Sequence, residues 1–392
     1  MSNRLMGEAR ALIPFMEDIF YTMHRNPELG RQEFASAELV CRKLKELGIE
    51  YTTMVGTGVV GVLRGGKSGR TIGFRADMDA LPVQEETGLE YASQNPGVMH
   101  ACGHDFHTAA LLGTAAILAQ HREELAGNVK FFFQPDEEDE GGAAPMIAAG
   151  CMEQPHVDAM LCMHVDSMLP SGTMATRPGP ICAATNPFTV TIRGRGTHGA
   201  KPHLGDDVIV AAAQIITALQ TVSSRRAAPT EPVVVTLGSI HSGAAGNVLP
   251  SEAVLKGTLR TFGSASRKMV TQSVTSIVTA VAAAMGVEAT VDMVEGYCAC
   301  VNDNDFTESF KASAVKVLGD EHVVHYQDPS MGADDFGYFS DMVPGCYFFM
   351  GVGSEEKGFT YPIHNPRFAA DLDALPAAAA LQAQAVLDYL KD

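Results

Sequence analysis

His100, Cys102, His104, Asp105 and His107 fall within the eight positions of "HACGHDFH", residues 100–107. Imidazole, thiolate and carboxylate are the usual protein ligands of divalent transition metals, and imidazole and carboxylate also carry protons. Cys102 and His104 are two residues apart, so on an extended segment both point the same way, and the pair could hold one ion or bridge two. A metal centre needs donors that converge from several parts of a fold, and four other segments offer them. Asp77 and Asp79 follow the apolar run "TIGF", Glu137 and Glu138 follow "NVKFFFQP", His164 ends "DAMLCMH", and His364 stands in "YPIHNPRF".

Taken singly, each of these groups has a plainer role. Asp105 can serve as an acid in the first turn of a helix, and "DEEDE" at 136–140 can be a solvated charge run. A lone histidine or acidic pair at a strand end is commonly a surface or capping group. Their conjunction points elsewhere: one cysteine, three histidines and a glutamate all stand at strand exits or in adjoining loops. In open parallel sheets the crevice beyond the carboxyl ends of the strands is where ligands bind.

The elements that would position them are legible as patterns. "GVVGVLRG", "RTIGFRADMDALP", "GNVKFFFQPDEE" and "VDAMLCMHV" read as strands, and 104–120 as an Ala/Leu-rich helix. This alternation predicts an α/β fold with a mostly parallel sheet and helices on both faces. Between Pro178 and Pro187 the pattern changes to strand 188–195, helix 206–224, strands 232–241 and 252–262, helix 266–286 and strand 288–297. That β-α-β-β-α-β order is the split arrangement of ferredoxin-like α+β domains. A buried strand, "GCYFFMGVG", and a closing helix over 373–390 then restore the first pattern. The expected organisation is a catalytic domain in two pieces, 1–183 and 298–392, with an inserted domain over 184–297.

Composition narrows the functional class. The 392 residues are enough for two domains with a core each. Acids outnumber bases by 46 to 28, a formal charge of −18, which argues against nucleic acid as a partner. None of the eight cysteines forms a CxxC pair, so reduced thiols are expected. The first 24 residues read as an amphipathic helix with Glu8, Glu17 and Asp18, not as a signal peptide. No run of 18 apolar residues occurs, so we expect no membrane span and a cytoplasmic, soluble protein.

With these residues assembled, the sequence resembles the aminoacylase, hippurate hydrolase and indoleacetyl-amino-acid hydrolase branch of the dinuclear metal-dependent amidohydrolases and carboxypeptidases. "HRNPELGRQE", "RADMDALP", "MHACGHDFHTAALLG", "QPDEE", "GTHGAKPHLGDD", "GNVLPSEA", "GADDFGYF" and "HNPRF" carry the likeness in order along nearly the whole chain. The resemblance implies a zinc-exopeptidase-like catalytic domain with an inserted lid and dimerisation domain. It implies two divalent ions, Zn before Mn, Co or Ni, with Cys102 bridging them. His104 and His164 would complete one ion's ligands, and Glu138 and His364 the other's. Glu137 would be the general base and Asp79 the aspartate that supports the ligands.

His198, in the insert, would stabilise the oxyanion, often at the partner subunit's active site in a homodimer, and Asn247 would bind substrate. His203 is a weaker candidate, and His100 and His107 would support local structure. Five positions differ from the pattern of the wider family, Asp77 among them as is usual in this branch. Asp77 stands where the wider family has a histidine ligand, Asp334 where a glutamate is commoner, and Asp136, Asp139 and Glu140 crowd the glutamate pair.

The implied reaction is hydrolysis of an N-acyl amino acid to a carboxylic acid and a free amino acid. Amides are poor electrophiles and water a poor nucleophile; a divalent ion helps both, lowering the pKa of bound water to roughly 7. Paired cations repel, and an anionic thiolate between them offsets that repulsion. A dipeptidase or an N-acetyl-diaminopimelate deacetylase would use the same groups. A catalytically silent metal-binding homologue is the rival from another class.

Overall fold

The computed structural model describes residues 2–391, which form two compact units. One comprises the chain up to Ile181, Val301–Asp328 and the stretch from Asp335 onward; the other comprises Cys182–Cys300 and Pro329–Asp334.

The first unit is built on an eight-stranded sheet. In spatial order its strands are Glu50–Met54, Gly58–Arg64, Ala126–Gln134, Lys67–Asp77, Ala159–Pro170, Gly345–Gly353, Met174–Thr176 and Val323–His325. The four central strands run parallel to one another. Antiparallel pairs join them to the strands on either side. Parallel strands buried on both faces need no polar alternation, which is why "KFFF" and "CYFFM" are nearly unbroken apolar runs. Phe74, Phe131, Leu161, Met163 and Phe348 share one core with the long helices Ile13–Arg25, Phe34–Glu46, His104–Gln120 and Leu375–Tyr389. The other face meets the short helix Gly337–Ser340, whose Phe339 ring lies 5.5 Å from that of Phe132.

The helix His104–Gln120 is buried on every side as far as Leu118, so it carries no polar face. It starts at Gly103, where φ is 83° and a Cβ would lie 2.4 Å from Val165 Cγ2. Only glycine fits the turn between Cys102 and His104.

Three elements differ from the sequence reading. The N-terminal segment is two helices, Ser2–Ala11 and Ile13–Arg25, because Pro14 cannot continue a helix but suits the first turn of a new one. The strand carrying His164 does not end there. It runs on to Pro170, pairing past a register shift between Gly351 and Gly353 of the neighbouring strand, where a Cβ would meet the Pro170 and Ser167 carbonyls. In the second unit, the helical stretch Val208–Arg226 is long and apolar enough by composition to cross a membrane. Its stripe of Ala211, Ala212, Ile215, Leu219 and Val222 is spent on that unit's own core.

That core lies against a four-stranded antiparallel sheet, ordered Val233–Ser242, Glu252–Thr261, Ala184–Arg193, Glu288–Met293. With the helices Val208–Thr221 and Ser264–Ala284 it has the ferredoxin-like chain order β-α-β-β-α-β.

One buried ion pair fixes the start of the helix His104–Gln120. His24 Nδ1 lies 2.6 Å from Asp105 Oδ2, and its Nε2 lies 3.4 Å from Glu85 Oε1, under the rings of Phe20 and Tyr91. Burial alone would lower the His24 pKa, but the Asp105 and Glu85 carboxylates override it and lift it to about 9. A raised histidine pKa gives stability that is complete below the unfolded value near 6.5 and is lost as pH rises through the folded one. H24Q should therefore cost about 3 kcal/mol near pH 6, as for a buried pair deprived of one partner. The gap from the wild type should narrow as pH passes about 9. Urea unfolding of both proteins across that range checks this, and a gap independent of pH would contradict it.

Candidate metal centre

Strand ends and loops of the first unit, with His164 inside the strand Ala159–Pro170, bring the candidate ligands together. Donor atoms of Cys102, His104 and His164 all lie within 4.8 Å of one another, as do those of Cys102, Glu138 and His364. A third such group joins His104, Glu137 and Glu138. Cys102 Sγ is 3.4 Å from His164 Nε2, and His364 Nε2 is 3.3 Å from Glu138 Oε1. The cysteine thus belongs to two overlapping trios, with Glu137 beside both. His364 reaches its place from a left-handed backbone, φ 64°, and its N–H donates to the Ala101 carbonyl at 2.7 Å. That bond ties the distant "IHNP" loop to the loop of Cys102.

The imidazoles are aimed by bonds to their other nitrogens. His104 Nδ1 lies 2.8 Å from the Asp79 carbonyl oxygen and donates to it, which leaves Nε2 facing the centre. Asp79 also accepts from the Glu138 N–H through Oδ2 at 2.9 Å, so one aspartate holds two of the groups. His164 Nδ1 donates to the Val165 carbonyl at 2.8 Å, turning Nε2 toward Cys102. His107 has both nitrogens engaged: Nε2 accepts from the Val165 N–H at 2.9 Å, and Nδ1 donates to Asp77 Oδ1 at 2.6 Å. Asp77 Oδ2 accepts from Arg75 at 2.7 Å, and Arg75 reaches on to Asp335 at 2.8 Å. His100 is buried with no partner at either ring nitrogen, and burial pushes its pKa down to about 4.

Whether these residues suit a cation can be judged from their electrostatics. Burial, and then the carboxylates of Glu138, Glu137 and Asp77, push the Cys102 thiol well above its ordinary range. Burial alone would lower His104, yet Asp77, Asp79 and Glu138 lift it to about 10. His104 Nε2 and Glu138 Oε1 are buried without a hydrogen-bond partner. Desolvated carboxylates, a thiol whose ionisation they oppose and two buried polar atoms without hydrogen bonds all call for positive charge in their midst. A mixed S, N, O donor set of this kind fits divalent transition ions.

His198 and Asn247 belong to the second unit. The short strand Thr197–His198 pairs with Val248–Leu249, and the Gly199 N–H donates to the Asn247 carbonyl at 2.7 Å. Both side chains are exposed at this ribbon, and His198 lines a depression of about 790 Å³ with Val248, Leu249 and Pro250. Sequence reasoning missed His24, Arg75, Gln134 and Asp335, whose pairings cross long stretches of chain. The one available signal was "RAD", which sets Arg75 and Asp77 on the same side of a strand.

Residues 73–388 match the family described as Peptidase family M20/M25/M40. Thermostable carboxypeptidase 2 of Saccharolobus solfataricus is 38% identical, over 99% of this chain and 98% of its own length. N-acetyl-L-cysteine deacetylase of Bacillus subtilis is also 38% identical, over 91% of this chain and 84% of its own. Among solved structures, the Bacillus subtilis YXEP protein, described as a dinuclear metal-binding peptidase of the M20 family, superposes with a TM-score of 0.85. The two are 34% identical, and the match covers 97% of this chain and 99% of that one. The chain belongs to the M20/M25/M40 peptidase family and is a hydrolase of amide bonds.

Proposed function

We propose that the protein hydrolyses the amide of N-acyl amino acids, with two divalent ions held by Cys102, His104, His164, Glu138 and His364. The observation that carries this reading is the membership of Cys102 in both donor trios, with Glu137 next to them. Ions bound there supply Lewis acidity, polarising the scissile carbonyl and making water nucleophilic near neutral pH. Zinc suits the set best, and Mn, Co or Ni are compatible with it.

The chain's own groups do the rest. Glu137 accepts a proton from the attacking water and delivers it to the leaving nitrogen, without which an amide anion would have to depart. Glu138 stays ionised: burial would raise its pKa, but His364 and His104 bring it below the ordinary carboxylate value. Asp79 fixes the His104 ring through its carbonyl oxygen and the Glu138 backbone through its carboxylate. His198 donates to the developing oxyanion, reaching the site from a second copy of the chain, and Asn247 contacts the substrate.

The deacetylase relative supports an N-acyl amino acid as substrate. The carboxypeptidase relative supports a second reading, cleavage of short peptides by the same groups. Acetyl-, benzoyl- and aminoacyl-amino acids, with N-acetyl-diaminopimelate, form the panel that separates them. Turnover of aminoacyl substrates alone would replace our reading with a dipeptidase, and a fully loaded protein inert to all would make it a silent homologue.

Three outcomes follow from these roles. E137Q should keep its metal and lose about 10²–10⁴-fold in kcat; wild-type turnover would remove Glu137 from the mechanism. Metal uptake should expel protons, because Cys102 and His104 hold theirs above neutral pH when no cation is near. Apparent affinity should then weaken as pH falls, and calorimetry in buffers of different ionisation enthalpy counts the protons; uptake without release would exclude the thiolate. Finally, mixing the inactive variants E137Q and H198A should restore activity through mixed dimers. A monomer in solution that shows full activity would rule out supply from a second copy.

A further inference from the structure

We infer that Arg31 and Glu33 are positioning residues for Glu137, clamping the acidic loop that carries it. The inference rests on the reading of Glu137 as the base. After the strand Ala126–Gln134 the chain is held at every second residue. The Gln134 side chain is gripped between Arg75, at 3.0 Å, and Asp335, at 2.8 Å. The Asp136 N–H donates to Glu33 Oε1 at 2.8 Å, and Asp136 Oδ2 accepts from Arg31 Nε at 2.7 Å. The Glu138 N–H is held by Asp79. The Glu140 carboxylate meets a second nitrogen of Arg31. Glu137 therefore sits between two peptide groups whose N–H bonds both end on carboxylates.

The clamp is built into the backbone as well. Arg31 and Asp136 are both non-glycine residues in the left-handed region, at φ 63° and 55°. Such residues persist where their surroundings over-determine them, and they gather at functional sites. A Cβ on Gly30 would lie 2.2 Å from Asp136 Oδ1, so any other residue there would push the Asp136 carboxylate out of this position. Glu33 is fully buried, and its second oxygen accepts from the Thr57 hydroxyl at 2.6 Å. Asp136 is buried too, whereas the Arg31 side chain is more than half exposed.

This arrangement accounts for two of the three extra acids around the base. One guanidinium meets both Asp136 and Glu140, so their charge is answered outside the centre. A lysine has a single ammonium and cannot serve both through separate nitrogens. An exposed arginine contributes little to folding stability, so its removal tests placement of the loop more than survival of the fold.

The test compares wild type, R31N, R31K and E33Q, all full-length and metal-loaded; asparagine tolerates the left-handed backbone. Steady-state kinetics on the best substrate of the panel, metal content and amide hydrogen exchange over 134–140 are the readouts. R31N should lower kcat about 10- to 100-fold through misplacement of the base. Its KM should stay within about twofold, its metal content should match the wild type, and exchange at 136–140 should quicken. R31K should fall between the two. Wild-type kcat and exchange in R31N would overturn the inference, and so would a loss of kcat that follows loss of metal. A wild-type enzyme inert to the whole panel would sink the amidohydrolase reading instead, and the exchange comparison would then decide the clamp alone.

Discussion

Asp77, Glu137 and Glu138 bear on the Cys102 thiol in a pocket from which most water is excluded, so the sulfur can ionise only with a cation beside it. Asp77 and Glu138, with Asp79 beside them, draw a proton onto His104 when no cation is present. Anionic groups gathered this closely would repel one another in a dry interior, and the repulsion must be met by protons, by arginine or by metal. The first unit uses the second of these around the centre, through the exposed Arg31 and the buried Arg75, and leaves the centre to the others. That division separates charge that holds the loops from charge that can do chemistry.

Delivering the groups is a task for the sheet and for a few backbone positions. The parallel strands Lys67–Asp77, Ala126–Gln134 and Ala159–Pro170 all release their chain toward one edge, which is where Asp79, Glu137 and Glu138 leave them. Gly103 makes the turn that starts the buried helix, and His364 adopts a left-handed backbone to enter from a distant loop. The long apolar helices on one face make the scaffold stiff. The His24–Asp105 pair then pins the end of the helix that carries His104.

Much of this was readable in the sequence, for a physical reason. Strand exits, the Cys-x-His spacing and the switch to β-α-β-β-α-β order are local patterns, so the fold and the neighbourhood of the centre follow from stretches of ten to twenty residues. Other features depend on which distant residues happen to meet. Nothing near His24 announces Asp105, and nothing near Arg31 announces Asp136, because side-chain pairing across 81 or 105 positions leaves no period. By residue type alone His107 could be a ligand like His104, although the resemblance assigns it to supporting local structure. Only the bonds to Asp77 and to the Val165 N–H show that its ring is already spoken for. Strand length past His164 was hidden for the same reason, since it is set by pairing with the neighbouring strand.

Asp77 shows how such a site tolerates a change of residue. The wider family, by resemblance, places a neutral histidine there, and an aspartate in its stead adds a buried negative charge 3.6 Å from His104 Nε2. Left alone, that charge would cost several kcal/mol in desolvation. Arg75, two residues earlier on the same face of the strand, meets it at 2.7 Å, and His107 donates to its other oxygen. The guanidinium also joins Asp77 to Asp335, which accepts from Gln134 at the start of the loop that carries Glu137. A position that could have supplied a ligand instead becomes the point where the strand, the histidine helix and the glutamate loop are fastened together. His104 is then the imidazole left to face the centre from that side, because its neighbour His107 is committed to the fastening.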